Sequence, residues 1–595
     1  MKNSLTCLLL LCSPLLGSAK ADLADFVSSD AVVYIQLDDW NDFSEKLDSG
    51  PMGVFSESPI WGKMVKWVEG ELEDDLDSGT MEEMKELMIE WKDSFNGGMI
   101  MSVGNIEKML SAGDEDSSFP PNLTILVQTD SAQKDLTASL RWMKKEVMNT
   151  GGKFSWERSK VAGNQVHWIG AKASDGRKEE IALVLRKGIL FFLLGGEEHV
   201  QETLLLAGGE SGTKNISGDS DFQDVFDEIG KGDARLYLNF KPLVHMLEDL
   251  SENPETQIPE NPFGVKTAGV IEALGLGSLE SMGLQVDLDR EHFSISSAFF
   301  LSKYEGLFSL LESKGKKAKL HDFIPQNLFS ATTARYDLSQ LWPRMEAIIG
   351  KISPQLLLLV NSQIQGFEDQ IGVPFRKNVL GSLGDEIVTI SQLNPNWTDN
   401  LGQFFSEGRK DELKELTESS PTNEVYAISL SDPKLFDQAL RATVDGATKG
   451  ADLFEERKHK GVLIRSMRGL EQTGISISYA VTDKWLLLSM GGAPLLNQVI
   501  NRMESADDSI WERKDVKRAL KNFPDGVSQV DYFDFGQIME MFKPMIDEMM
   551  EGQEIKLKSS DIPEFPFFML AWSKSVKNGV IGKAELFPKT EARGD

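Results

Sequence analysis

His199 and Glu202 stand three residues apart, and so do His245 and Glu248. On a helix each pair puts a ring nitrogen and a carboxylate one turn apart on one face, as two ligands of a transition-metal site would be. Neither pair has a third ligand nearby: no H-E-x-x-H is present, and His167, His292, His321 and His459 are scattered. Solvated helix faces account for both. The glycine pairs Gly195-Gly196 and Gly491-Gly492 close the apolar runs "ILFFLLGG" and "WLLLSMGG", the place a phosphate loop would occupy. A Walker loop also needs a lysine and a hydroxyl, and neither copy has them. Glu197-Glu198 put two carboxylates at the positive end of the helix in one copy, and Pro494 is a helix-start residue in the other. Both pairs are therefore expected to be tight strand-to-helix turns. Asp385-Glu386 in "LGSLGDE" (380–386) could serve acid-base chemistry, but the first half carries Gly98-Met99 in that place, so a turn feeding a strand is expected.

Other chemistries fare no better. Asp114-Glu115-Asp116 and Asp219-Ser220-Asp221 could meet calcium, yet the EF-hand glycine and terminal glutamate are absent, and both are expected as solvated acidic loops. There is no G-x-S-x-G elbow, and with 93 acidic residues no carboxylate pair is singled out for glycoside hydrolysis. Trp61, Trp67 and Trp91 share helical spacing with Met64, Val65 and Met88, which marks packing before a carbohydrate platform. No catalytic, cofactor-binding or metal residue is assigned, and no cofactor is expected.

The elements that would position any site occur twice, in the same order. "AVVYIQLDDWNDF" around Asp38 is echoed by "SATTARYDLSQLW" around Asp337, each a strand followed by an aspartate that starts a helix. "NLTILVQTDSAQKDLTASLRWM" (122–143) is echoed by "NEVYAISLSDPKLFDQALRATV" (423–444), with Asp130 and Asp432 in the capping place. The hairpin of 154–171, the glycine pairs, the helix-strand run of 220–247 and the hairpin of 282–301 have counterparts at 453–470, 491–492, 514–542 and 569–588. Each half also carries a helical insert. Thr80 and Glu83 stand at capping-box spacing in the first; Leu356, Leu357, Val360, Ile364 and Phe367 form one face in the second. The expected class is α+β: two homologous halves, each a mainly antiparallel sheet with a helical insert. The expected boundaries are a signal peptide at 1–21, a first repeat at 22–312, a linker at 313–323 and a second repeat at 324–595.

The N-terminal "MKNSLTCLLLLCSPLLGSAKADLADF" has Lys2, an apolar stretch from Leu5 to Leu16 and Ala19-Lys20-Ala21, the pattern of a secretory signal cleaved after Ala21. Cys7 and Cys12, the chain's two cysteines, fall inside it, so the mature chain is expected to lack thiol chemistry and disulfides. No later segment is long and apolar enough to span a bilayer. A formal charge of −31 repels polyanions, so nucleic acid is not expected as a partner; an envelope protein or an apolar ligand fits better.

"SSDAVVYIQLDDWNDF", "SGPMGVFSESPIWGKM" and "VPFRKNVLGSLGDEIVTI" together resemble large exported bacterial proteins known only as domains of unknown function. The resemblance implies an envelope or extracellular setting and no particular activity. The expected function is an exported, non-catalytic binding, scaffold or envelope-associated protein. The alternatives are a secreted hydrolase whose site assembles from distant residues and a periplasmic carrier or chaperone for an apolar ligand, which the Met-rich "MEMFKPMIDEMM" (539–550) would suit.

Overall fold

A computed structural model of the chain describes residues 22–63, 97–105, 122–128, 140–141, 144–145, 154–172, 178–209, 212, 214–253, 258–313, 316–394, 421–448, 453–468, 476–505, 508–549 and 558–590. The expected signal peptide, the first helical insert, Asp114-Glu115-Asp116, Asp130, Trp67 and Trp91 lie outside these residues. The chain divides into two compact units.

Unit 1 is Met1–Gly53, Lys66–Leu250 and Leu279–Leu301. Its strands are β1 (Val33–Leu37), β2 (Met99–Gly104), β3 (Asn122–Gln128), β4 (Phe154–Val161), β5 (Asn164–Lys172), β6 (Lys178–Arg186), β7 (Ile189–Leu194), β8 (Ala234–Asn239), β9 (Leu279–Leu288) and β10 (Phe293–Leu301). Every pairing is antiparallel, and the strands follow one another in the order β10-β9-β8-β1-β2-β3-β7-β6-β5-β4. Burial alternates along β8, as for a strand with one face on a core; β7 is buried on both faces, which its unbroken apolar sequence requires. Ala162-Gly163 and Lys187-Gly188, all at positive φ, close the β4–β5 and β6–β7 hairpins with the backbone of a type I′ turn. The helix Ser220–Ile229 is capped by Asp219, which accepts from the amides of Asp221 and Phe222. It packs on β9 where Gly283 leaves room: a Cβ there would stand 2.1 Å from Val225 Cγ1. Phe222 then reaches the buried rings of Tyr34 and Tyr237, with centroids 5.2 and 5.1 Å away.

Unit 2 is Val54–Val65, Ser251–Ser278 and Ser302–Asp595. Its strands are β11 (Ser330–Arg335), β12 (Leu383–Leu393), β13 (Thr422–Leu430), β14 (Phe454–His459), β15 (Val462–Met467), β16 (Ile477–Val481), β17 (Trp485–Met490), β18 (Gln529–Phe533), β19 (Phe567–Val576) and β20 (Gly579–Pro588). They run β20-β19-β18-β11-β12-β13-β17-β16-β15-β14, again wholly antiparallel. Strand for strand this is the scheme of unit 1. The class is α+β. Between β11 and β12 stand the helices Leu341–Ile352 and Pro354–Ile371. The second is capped by Ser353, and its half-buried face holds the five apolar residues picked out by spacing, while Leu358 beside them is 71% exposed.

The structure differs from expectation at three points. The described residues 316–323 of the expected linker are not a bare connection: Ala318 and Phe323 are buried in the main core of unit 2 with Ile324 and Leu328, while Lys316, Lys317 and Lys319 face solvent. The lysines gave the stretch its linker-like composition and the small residue between them hid its inward face. Segment 251–278 groups with unit 2 because the helix Thr267–Leu274 packs on Leu341–Ile352 and the Ser353 hydroxyl donates to the Phe263 carbonyl, and segment 54–65 because Phe55 meets the Phe565 ring at 5.2 Å and Lys63 pairs with Asp561. The cap of the first helix, Trp40–Ser49, is Asp39 rather than Asp38, whose carboxylate instead meets Arg235 at 3.1 Å.

Candidate functional site

The doubled glycines are turns held against an asparagine. Gly195 (φ 138°) follows β7 and Gly491 (φ 98°) follows β17. A Cβ on either would stand 2.4 or 2.5 Å from the side-chain oxygen of Asn122 or Asn423, the asparagine on the neighbouring strand. Asn423 also accepts from the Gly492 amide, so the turn's free donor is already used.

Under the helix that follows in unit 1 (Gly196–Leu206), His199 and Thr124 meet, with Nε2 and Oγ1 2.9 Å apart. Burial drives the His199 pKa down to about 4, against the hydrogen bond to the Leu123 backbone and the charge of Asp30, so the ring is neutral at physiological pH. A hydroxyl beside a neutral imidazole is the geometry of a nucleophile and its base. The chamber next to them, lined by Ser28, Asp30, Ser102, Asn122 and Glu202, has a volume of about 20 Å³, room for one water and no substrate. Glu202 shares the chamber with His199, but among the described residues no set of three histidines, cysteines or acids is placed to hold a metal. His245 and Glu248 lie on an exposed helix face. Asp219 is spent on its cap and Asp221 on an ion pair with Lys241.

The larger site is in unit 2. A pocket of about 780 Å³ is walled by His321 and Phe323, by the start of the helix Pro433–Ala447, by the β14–β15 turn at Lys460-Gly461, by the β16–β17 turn at Thr482-Asp483-Lys484, and by the end of the helix Ala493–Glu504. Trp485 is its deep wall: His321 and Phe323 meet the indole edge-on at 5.0 and 5.4 Å, and Lys484 Nζ stands 5.1 Å over it.

Behind this wall sits Glu386. The β12 register slips between Leu383 and Ile387, where Gly384 lies against Ser429, and the irregularity brings Glu386 opposite Arg335 across the strands. Its 5%-exposed side chain has Lys319 Nζ at 2.5 Å, Arg335 at 3.2 Å, His321 Nε2 at 3.1 Å and Lys484 at 3.8 Å. His321 Nε2 and the Glu386 oxygen it faces lack hydrogen-bond alignment. Burial pushes the Glu386 pKa up, but the Lys319 hydrogen bond and the surrounding positive charges outweigh it and hold it below the ordinary range. Asp385 is held down likewise by Lys316 and Arg335 against its burial. Burial lowers the His321 pKa, opposed by Glu386. The "LGDE" carboxylates are thus the anchor of a cation cluster, and Glu386 braces the pocket's His321 and Lys484.

Sequence spacing gave His199 and Asp385-Glu386, but missed the pocket, which five segments build from positions as far apart as 321 and 504. Among the described residues no helix is long and apolar enough to cross a membrane. No protein-family model matches the chain, and no curated protein does. Among solved structures, crystal forms III, I and IV of TP0453 are similar to 51% of this chain and to 90%, 88% and 89% of their own, at 12%, 12% and 9% identity with TM-scores of 0.25, 0.23 and 0.24. At those scores the likeness carries no argument.

Proposed function

We propose that the protein is an exported binding protein whose ligand site is the pocket of unit 2, and that it holds its ligand without transforming it. The observation that carries this is the pocket: about 780 Å³ lies within the range of small-molecule sites, and its deep wall is aromatic and its rim charged. That wall is set in place by strand turns and by the Glu386 network, so the site is preformed. The signal-like first 21 residues and the resemblance to exported bacterial proteins support the setting. A gene duplication is supported by the shared pairing scheme.

The test is a blocked pocket. Val462→Trp would fill the space beside Trp485; a panel of small molecules screened by thermal shift should contain compounds that raise the melting temperature of the wild type and not of this variant. If no compound separates the two proteins, there is no ligand site here. Export is checked by N-terminal sequencing of the secreted product, which should begin at Asp22.

A hydrolase is the second reading: the Thr124–His199 pair has the geometry of a nucleophile and its base, although its chamber of about 20 Å³ would have to open to admit a substrate. Thr124→Val would abolish any esterase activity of the purified protein if that pair acts; unchanged activity would discard it.

A further inference from the structure

We infer that the ligand of the unit 2 pocket is a small zwitterion with an apolar body, an amino acid or short peptide with free ends; this rests on the pocket being a ligand site. The reason is the state of the charges around it. Asp437 is already satisfied, with Arg441 at 2.7 Å on one oxygen and Arg465 at 3.2 Å on the other. Lys484 leans over Trp485 toward Glu386. Four rim charges remain: Lys434 and Lys460, Asp483 and Glu504. All four are exposed, and none forms an ion pair or side-chain hydrogen bond among the described residues, although both signs border the same cavity.

A purely anionic ligand would meet Asp483 and Glu504, and a purely cationic one would meet Lys434 and Lys460, in each case at a repulsive cost. A ligand carrying one charge of each sign satisfies both sets. Lys434 stands in the first turn of the helix Pro433–Ala447 and supplies the positive charge for the ligand's carboxylate on that side, the helix end itself being capped by Asp432. Between the charges the lining is apolar: Val462, Leu463, Ile500 and Met503, with Phe323 and Trp485 deeper. That suits an aliphatic side chain.

The experiment is isothermal titration with leucine, Leu-Leu-Leu, N-acetyl-Leu-Leu-Leu and Leu-Leu-Leu-amide. Wild type should bind at least one free-ended probe, and capping either end should weaken binding about tenfold, the worth of one charge-assisted contact. Lys434→Ala with Lys460→Ala should abolish the penalty for the amide cap, and Asp483→Asn with Glu504→Gln the penalty for the acetyl cap. Preference for leucine over Leu-Leu-Leu, or the reverse, identifies amino acid or peptide. Caps without effect, or penalties untouched by the variants, overturn the zwitterion. If no leucine probe binds while another molecule binds in a Val462→Trp-sensitive way, the zwitterion falls and the pocket stands. If Val462→Trp changes no binding at all, both fall.

Discussion

His199 offers the sharpest test of the physical reasoning. It is neutral in the folded protein down to about pH 4, whereas in the unfolded chain it takes up its proton near 6.5. As the pH drops below 6.5 the unfolded state binds a proton that the folded state refuses, so stability falls until the folded pKa is reached. At about 1.36 kcal/mol for each pH unit, the full interval amounts to about 3 kcal/mol, all of it lost on the acid side and none above pH 6.5. His199→Leu places there the residue that unit 2 carries four positions after its first glycine, Leu495. At pH 7 the substitution should be within about 1 kcal/mol of neutral, because the Thr124 hydrogen bond lost is offset by apolar burial and the adjoining chamber admits a water. At pH 4.5 the variant should be more stable than wild type by about 2 to 3 kcal/mol. Urea unfolding at several pH values, followed by hydrogen exchange of the β3 and β7 amides, reads unit 1 directly. Groups other than His199 cancel in the difference. Parallel pH dependence of wild type and variant between 6.5 and 4.5 would refute the assignment of a buried, neutral imidazole.

Glu386→Gln should lower the stability of unit 2 by about 2 kcal/mol, less than a wholly buried pair would lose because Lys319 is 56% exposed. Since Glu386 and Asp385 are held below their ordinary pKa values, wild type should lose stability as the pH falls below about 4.5, and the variant should lose less; calorimetry at pH 7 and 3.5 decides. Gly491→Ala should cost about 2 kcal/mol or more, since φ is 98° and the new Cβ would stand 2.5 Å from Asn423 Oδ1; a melting temperature within a degree of wild type would contradict the turn described. Ala162→Asn, at a type I′ position with φ 46°, should stabilise by about 0.5 kcal/mol, measurable by urea unfolding.

How much of this could be read beforehand follows from the range of each interaction. Strands and hairpins are local, so the α+β class and the antiparallel pairs at 154–171 and 453–467 were visible as alternation broken by turn residues. Caps are local too: Asp432 accepts from the Leu435 amide as its position implied. The ion network is not local. Lys319 reaches Glu386 across 67 residues and Lys484 approaches it from the other side, so the lysine-rich run 314–319 does not by itself show which carboxylates it will meet. "LGDE" was noticed for its carboxylates, but its partners could not be named from the sequence, and without them a turn was the cheaper account. The pocket's charges are still more dispersed, since a helix start, two hairpin turns and a helix end supply them.

The two units show which residues the scheme requires and which it leaves free. An asparagine facing a glycine at positive φ occurs in both, Asn122 with Gly195 and Asn423 with Gly491, because the turn leaves no room for a Cβ. Two residues beyond each asparagine, and four and eight beyond each glycine, unit 1 has Thr124, His199 and Thr203 where unit 2 has Val425, Leu495 and Val499. In unit 2 these three are at most 1% exposed and purely apolar; in unit 1 the same places border a polar-lined chamber with room for one water. Burying polar groups at sites that apolar residues can fill equally well costs free energy unless every group is bonded. The reverse holds at the start of β12, where unit 2 carries Glu386 and its cations and the first half has Gly98-Met99. Each unit therefore spends polar groups at a different point on the same scheme. A function shared by both halves would have kept one set in both. Separate functions predict that pocket variants in unit 2 leave the His199 pH response unaltered, and that His199→Leu leaves ligand binding unaltered.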